Sequence, residues 1–315
     1  MESYDFIIIG AGGSGLAGAM YAARLGLKTL VLGSTHGTEL SIGGVITTTD
    51  TVENYPGFTT ISGPELAKNI EKHTRSYNLV TIKGEKAVSI KKMKSSFSII
   101  TEKTKYQGKT ILFATGTKLR KLPEEVRGSR EFENKGISYC ALCDAPLYKN
   151  RVVAVIGGSD SAAKDALLLA EHTKKIYIIY HKEQIHPEPI NLMRIQKNKK
   201  IEVINNTNIS EIRGKESVTS VILDKSYLGS RELKVNGVFV AIGHIALSDL
   251  AKSLGVKLNS AGEIKINHMT SETNIPGVFA AGDVTDKPFK QLITGVADAC
   301  TAAYSAYEHI MKKKL

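Results

Sequence analysis

The clearest regularity in the chain is an apolar run that stops on glycine. Tyr4 to Ile9 is such a run, rich in strand-favouring residues, and Gly10-Ala11-Gly12-Gly13-Ser14-Gly15 follows it. Leu16 to Leu25 is helical in composition, and Lys28 to Leu32 reads as a second strand. The order strand, glycine turn, helix, strand then returns. Arg151 to Ile156 leads into Gly157-Gly158-Ser159-Asp160-Ser161-Ala162, a helix runs to about His172, and Lys175 to Tyr180 is the closing strand. A shift of 147 places Gly10 on Gly157 and Lys28 on Lys175, which is an internal repeat.

The segments between follow two more patterns. Gly43-Gly44-Val45-Ile46-Thr47-Thr48-Thr49 and Val52-Glu53-Asn54-Tyr55-Pro56-Gly57 read as loop, because glycine pairs and hydroxyl runs form helix poorly. Gly63-Pro64 opens an amphipathic helix to about Tyr77. Leu79 to Phe113 alternates like a small meander, with turns expected at Lys83-Gly84 and Gln107-Gly108. It ends in Ile111-Leu112-Phe113-Ala114-Thr115-Gly116, and a second meander-like region (about 201–240) ends similarly in Gly237 to Gly243. Pro276 to Asp283 and a long helix from about Gln291 close the chain.

The two glycine-bearing crossings, near 116 and 243, bracket an insertion and resemble hinge linkers. The fold class expected is therefore α/β, with two Rossmann-like, three-layer nucleotide-binding domains, each with a small β-meander. The second (117–244) is inserted into the first (1–116 and 245–315).

The glycine turns carry the first chemistry. In G-x-G-x-x-G the first glycine permits the tight turn, the second lets backbone approach a pyrophosphate, and the third lets helix pack on strand. The phosphate then sits on the helix N-terminus, where unpaired amides favour negative charge. An acid usually ends the second strand to hold a ribose; here that position is Gly33, with Glu39 in the next loop as a substitute.

Two of the three cysteines, Cys140 and Cys143, lie in Ser138-Tyr139-Cys140-Ala141-Leu142-Cys143-Asp144-Ala145-Pro146. This spacing allows a small disulfide ring and tends to lower one thiol pKa. Asp144 stands where a carboxylate could pass protons to and from the sulfurs. Half of a zinc site, or two structural cysteines, would show the same spacing. Zinc needs about four ligands, and no second C-x-x-C or nearby histidine exists, so no metal is expected.

Composition narrows the setting. With 315 residues, 42% hydrophobic and 23% charged, the chain has the makeup of a soluble globular protein with room for two cores. No apolar stretch approaches a membrane span and no signal-peptide pattern precedes Phe6-Ile7-Ile8-Ile9, so no membrane partner is expected. Three cysteines suit a reducing compartment, hence the cytoplasm. The formal charge of +11 gathers at Lys91-Lys92, Lys199-Lys200 and Lys312-Lys313-Lys314. Without tryptophan or interleaved stacking aromatics it reads as solvated surface rather than a nucleic-acid site.

Taken together, these motifs resemble the low-molecular-weight thioredoxin reductases over nearly the whole chain. In that family the dithiol lies in the second nucleotide domain, unlike in glutathione-reductase-type enzymes. The resemblance implies FAD in the first domain, lined by Gly10, Gly12, Gly13, Gly15, Gly44, Asn54, Thr115, Gly116, Asp283 and Gln291. It implies a nicotinamide nucleotide in the second, at Gly157, Gly158, Ser159, Asp160, Ser161 and Glu183. It further implies rotation of the inserted domain, a homodimer, and electrons reaching the Cys140–Cys143 disulfide and then a thioredoxin-like disulfide protein. Cys143 would face the flavin, Cys140 would exchange with the partner, and Asp144 would shuttle protons. Cys300 is expected to pack as a small hydrophobe.

The chain departs from the family at the donor site. NADPH-using members have glycine at Ser159 and His-Arg-Arg-x-x-x-Arg where this chain reads His181-Lys182-Glu183-Gln184-Ile185-His186-Pro187. Arginine forks recognise phosphate dianions; Glu183 would repel a 2′-phosphate and accept from a ribose 2′-hydroxyl. NADH is thus expected over NADPH, with room for an atypical donor. A ferredoxin–NADP reductase-like flavoenzyme, an FAD-dependent dithiol oxidase and a non-enzymatic flavin or nucleotide sensor remain alternatives.

Overall fold

Tyr4 to Ile9 and its repeat do not alternate polar with apolar because both faces of these strands are covered. The computed structural model describes residues 2–33 and 42–312. It begins with β1 (Glu2–Ile9), α1 (Gly13–Arg24), β2 (Thr29–Leu32) and α2 (Gly63–Arg75). Strands β3 (Val80–Lys83), β4 (Ala87–Lys92), β5 (Phe97–Thr101), β6 (Lys105–Phe113), β7 (Thr117–Leu119) and β8 (Ile137–Ser138) follow. Then come α3 (Ala141–Asp144), β9 (Val152–Ile156), α4 (Asp160–His172), β10 (Lys175–Ile179), α5 (Pro189–Lys197) and β11 (Ile201–Ile204). The chain continues through β12 (Ile209–Gly214), β13 (Val218–Tyr227), β14 (Ser230–Lys234), β15 (Gly237–Val240) and β16 (His244–Ala246). It closes with α6 (Asp249–Ser253), β17 (Val278–Ala280) and α7 (Leu292–Lys312).

The described chain divides into two compact units, 1–118 with 245–315, and 119–244. In the first, the sheet runs β3-β2-β1-β6-β5-β4, with β17 also on β6. Strands β3, β2, β1, β6 and β17 pair in parallel, whereas β4, β5 and β6 form an antiparallel meander. Phe6, Ile8 and Val31 pack on alanines of α1 and α7; Ile7, Ile9 and Leu30 pack on meander residues such as Phe97 and Ile99. The second unit has the same plan. Its parallel sheet runs β11-β10-β9-β15-β8. One face packs on α3, α4 and α5, and the other on the antiparallel β12-β13-β14 sheet.

The repeat is reproduced bond by bond. Gly10 N–H donates to Leu32 O at 3.0 Å, and Gly157 N–H to Ile179 O at 3.1 Å. Ala114 N–H reaches Ile9 O at 2.9 Å, and Ala241 N–H reaches Ile156 O at 2.8 Å. Gly10 has φ +113° and Gly157 φ +145°, and a Cβ would lie 2.2 Å from Ala114 O in one and 2.3 Å from Ala241 O in the other. Only glycine satisfies both the backbone angle and the approach. The crossings β7 and β16 pair with each other as a two-stranded ribbon, and Arg120 N–H donates to Gly243 O at 2.9 Å.

One local reading is corrected and another refined. Gly108 is not in a turn but inside β6, between Tyr4 of β1 and Phe97 of β5. Its Cβ would come 2.9 Å from the Ile7 side chain, so close packing rather than chain reversal calls for glycine. Gly44–Thr48, expected as a loop approaching a ligand or a turn, is one short 3₁₀ turn. Thr47 and Thr48 hydroxyls donate to Gly44 O and Val45 O at 2.7 and 2.8 Å, so the hydroxyl run that disfavours a long helix stabilises this single turn. No helix among the described residues is long and apolar enough to cross a membrane.

Candidate functional site

Strand β8 ends at Ser138, two residues before the first cysteine. Cys140 has extended backbone and Ala141–Asp144 form a single helical turn, α3, held down because Ala141 and Ala145 pack against Ala162, Ala163 and Ala166 of α4. Cys140 and Cys143 are bonded to each other, with Cα atoms 5.3 Å apart. Cys143 N–H donates to Cys140 Sγ at 3.2 Å. Ser138 Oγ donates to Asp144 Oδ2 at 2.6 Å and accepts from Cys140 N–H at 3.1 Å. Cys143 is exposed, whereas Cys140 and Asp144 are half-buried. Cys300 lies apart on α7, where burial pushes its thiol up to about 11, the behaviour of a packed rather than a reactive cysteine.

In the first unit the C-terminal ends of β1, β6 and β17 meet, bringing Gly10, Thr115, Gly116 and Asp283 to one edge. Gly12 caps α1 with no side-chain bond, and the helix has no acid in its first turn, so its positive end is uncompensated. A Cβ on Gly12 would meet nothing nearer than 3.8 Å, and one on Gly116 nothing within 4 Å. Gly15 abuts Gly10 O, and Gly13 abuts Leu292. Gly44 lies against Gly12, with Gly43 N–H donating to Ala11 O at 2.8 Å. Asn54 Nδ2 donates to Gln291 Oε1 at 3.1 Å, joining two segments far apart in sequence. Thr115 Oγ1 donates to Leu247 O at 2.7 Å, so its hydroxyl fastens the returning chain. This open glycine cradle at a helix N-terminus fits the diphosphate of a dinucleotide. Glu39 lies outside the described residues.

The corresponding cradle of the second unit is furnished differently. Gly158 lies under the Tyr180 ring, whose atoms a Cβ there would approach to 2.5 Å. His186 N–H donates to Gly158 O at 2.7 Å, and its Nδ1 pairs with the Tyr180 hydroxyl at 3.2 Å. Ser159 caps α4 without a side-chain bond. Asp160, in the first turn, accepts from Glu188 N–H at 3.0 Å and Asn191 Nδ2 at 2.8 Å, and pairs with Lys164 at 2.8 Å. Burial works against its charge, but these donors outweigh it and hold the carboxyl below the ordinary range. Ser161 and Glu183 are exposed. Sequence reasoning missed the Tyr180–Gly158 contact; the signal was available, since Tyr180 is the repeat partner of Gly33.

Asp165 stands on the helix that backs the dithiol, and burial pushes its carboxyl up to about 7. Between the ordinary carboxylate range and neutrality the folded protein keeps a proton there that the unfolded chain releases, so stability falls as pH rises through that window. Asp165→Asn is expected to stabilise the protein at pH 8 by on the order of 2–4 kcal/mol, and hardly at all near pH 4. Thermal melts of both proteins at the two pH values check this; a gain larger at pH 4 than at pH 8 refutes it.

Among the described residues, no group of three or more His, Cys, Asp or Glu could hold a metal ion. The family described as pyridine nucleotide-disulphide oxidoreductase matches residues 4–306. The thioredoxin reductase of Treponema pallidum (strain Nichols) is 37% identical over 309 residues, 98% of this chain and 97% of its own length. The crystal structure of T. acidophilum thioredoxin reductase is 35% identical, with TM-score 0.90, covering 99% of this chain and 100% of that one. A ferredoxin-flavin thioredoxin reductase from Clostridium acetobutylicum is 32% identical with TM-score 0.53, covering 99% of each chain.

Proposed function

The chain belongs to the pyridine nucleotide-disulphide oxidoreductase family, and on that premise we propose that it is a thioredoxin-disulfide reductase. In this reading it is an FAD-dependent, cytoplasmic homodimer that takes electrons from a reduced nicotinamide and reduces a disulfide of a small thioredoxin-like protein. The observation that carries the reading is the bonded Cys140–Cys143 pair with Asp144 on the same helical turn. Gly10, Gly12, Gly13, Gly15 and Gly44 would hold the FAD diphosphate, and Asn54, Thr115, Gly116, Asp283 and Gln291 the rest of the cofactor. When bound, FAD supplies the two-electron carrier between donor and disulfide.

The chain's own residues divide the remaining work. An N–H directed at Cys140 Sγ favours the charged form of that sulfur in the reduced state, which supports Cys140 as the exchanging thiolate and Cys143 as its resolving partner. Exposure ranks the two sulfurs the other way; thiolate charge is the weightier argument, because the uncharged thiol does not attack. Asp144 takes and returns the protons that the dithiol must lose and regain.

For the donor, Gly157, Gly158, Ser159, Asp160 and Ser161 would form the turn under a nicotinamide nucleotide, and Glu183 favours a ribose 2′-hydroxyl over a 2′-phosphate. NADH is expected to show the lower Michaelis constant in steady-state reduction of a thioredoxin-like protein, and Glu183→Arg to improve kcat/KM with NADPH by about tenfold. A much lower constant for NADPH in the parent protein ends this assignment. A second reading, an electron donor that is not a nicotinamide, is favoured by the fixed carboxylate of Asp160 and by Tyr180 over Gly158. The name of the Clostridium acetobutylicum relative points the same way. An anaerobic titration separates the two: NADH bleaches the flavin absorbance in the first, only dithionite in the second.

A further inference from the structure

We propose that Ser138 is the positioning residue for proton transfer at the dithiol, tying the Asp144 carboxylate to the backbone of Cys140. The inference rests on the reading above, that Cys140 and Cys143 are redox-active.

Ser138 is 4% exposed and ends β8, where Ser138 pairs with Phe239 of β15. Its place is therefore set by the sheet rather than by the dithiol loop. A hydroxyl has one proton to give. Two acceptors are in reach, Asp144 Oδ2 at 2.6 Å and Cys140 O at 3.3 Å. The shorter bond, to the carboxylate, is the charge-assisted one and takes the proton. The hydroxyl oxygen meanwhile accepts from Cys140 N–H at 3.1 Å. One buried side chain thus joins the proton carrier to the backbone of the first cysteine.

The step it serves is balanced as follows. The reduced enzyme brings a thiolate at Cys140 and a thiol at Cys143. The thiolate attacks the partner's disulfide, forming the mixed disulfide and releasing the partner's first sulfur as a thiolate. The Asp144 carboxylate takes the proton of Cys143 as that sulfur attacks Cys140 Sγ, closes the enzyme's own disulfide and expels the partner's second sulfur, to which the proton is then passed. Two electrons pass from enzyme to partner.

Other titrating groups surround this carboxylate. Tyr148, in the turn after α3, is held above the ordinary phenol range by burial and by the charge of Asp144, so it keeps its proton at neutrality; Arg151 faces that ring. Helix α4, whose alanines pack on α3, also carries Asp165, a carboxyl that burial pushes up to about 7.

The test uses the whole protein, prereduced with a small dithiol that is then removed, and follows exchange with a small disulfide protein by stopped flow from pH 5 to 9. Ser138→Ala is expected to slow exchange about tenfold. It is also expected to shift the acid limb of the pH–rate profile, because the carboxylate loses the hydroxyl that donates to it. Ser138→Thr, which keeps the hydroxyl, restores both, and Asp165→Asn leaves the limb in place. Ser138→Ala added to Asp144→Asn costs nothing further. If Ser138→Ala exchanges with the parent's rate and pH limb while Asp144→Asn is slow, the positioning role is wrong and the function stands. A limb that moves with Asp165→Asn instead also overturns the proposal. Exchange unaffected by Cys140→Ser removes the underlying reading itself.

Discussion

Replacing either Cys140 or Cys143 by serine is expected to cut reduction of a protein disulfide by roughly a thousandfold or more, the scale on which loss of a nucleophile acts. The flavin should stay bound. The size of the effect follows from the arrangement: the two sulfurs are bonded to each other, and the third cysteine lies on α7, where burial raises its thiol pKa to about 11. No other described sulfur can take over. The two substitutions should differ in one respect. Cys143→Ser keeps the sulfur that receives an N–H and loses the one that would release the partner, so it should accumulate a mixed disulfide. Cys140→Ser should accumulate none. Nonreducing electrophoresis after incubation with a thioredoxin-like protein reads the difference; a trap formed only by Cys140→Ser would reverse the sulfur assignment. A ferredoxin–NADP reductase-like activity surviving both substitutions would discard the dithiol as the working centre. Oxygen uptake with a small dithiol would identify an oxidase.

The second large effect is a contrast between neighbouring glycines. Gly10→Ala forces a Cβ to 2.2 Å from a backbone carbonyl at φ +113°, with nothing flexible to give way. It is expected to destabilise the first unit by about 3 kcal/mol or more, a positive-φ penalty plus a clash. Gly12→Ala has φ −74° and nothing nearer than 3.8 Å, so the chain should fold as before. Its methyl group fills the room that a diphosphate needs. Flavin should therefore dissociate from Gly12→Ala about ten- to a hundredfold more readily, or about 1.4–2.8 kcal/mol, while its melting temperature without flavin matches the parent's. Flavin fluorescence on dialysis and thermal melts distinguish the two. Equal flavin retention in Gly12→Ala and parent would remove Gly12 from the cofactor site.

Much of the plan was legible because repeated units leave repeated marks. A run of Phe6-Ile7-Ile8-Ile9 must be covered on both faces, and a glycine at the end of such a run admits a close approach that any side chain would block. Those constraints act on neighbours in sequence. What could not be read depends on partners distant in the chain. Gly108 looked like a turn because its true cause, the Ile7 side chain, lies on another strand. Ser138 stood in the dithiol stretch without a role, because its bond to Asp144 spans six residues and a helical turn. Tyr180 could be matched to Gly33 through the repeat, but no neighbour in sequence says that its ring covers Gly158 or that its hydroxyl meets His186. The threonines after Gly44 left loop and turn undecided for another reason: a hydroxyl that competes with a long helix can equally close a single 3₁₀ turn.

The paired ribbon of β7 and β16 has a consequence for sequence change. Because outgoing and returning chain are bonded side by side, the inserted segment leaves the first unit and re-enters it at one place along the chain's pairing. The register of β1, β6 and β17 is set wholly by residues outside that segment. Changes confined to the inserted segment, and to the electron donor proposed to bind there, would leave the alignment of those three strands intact.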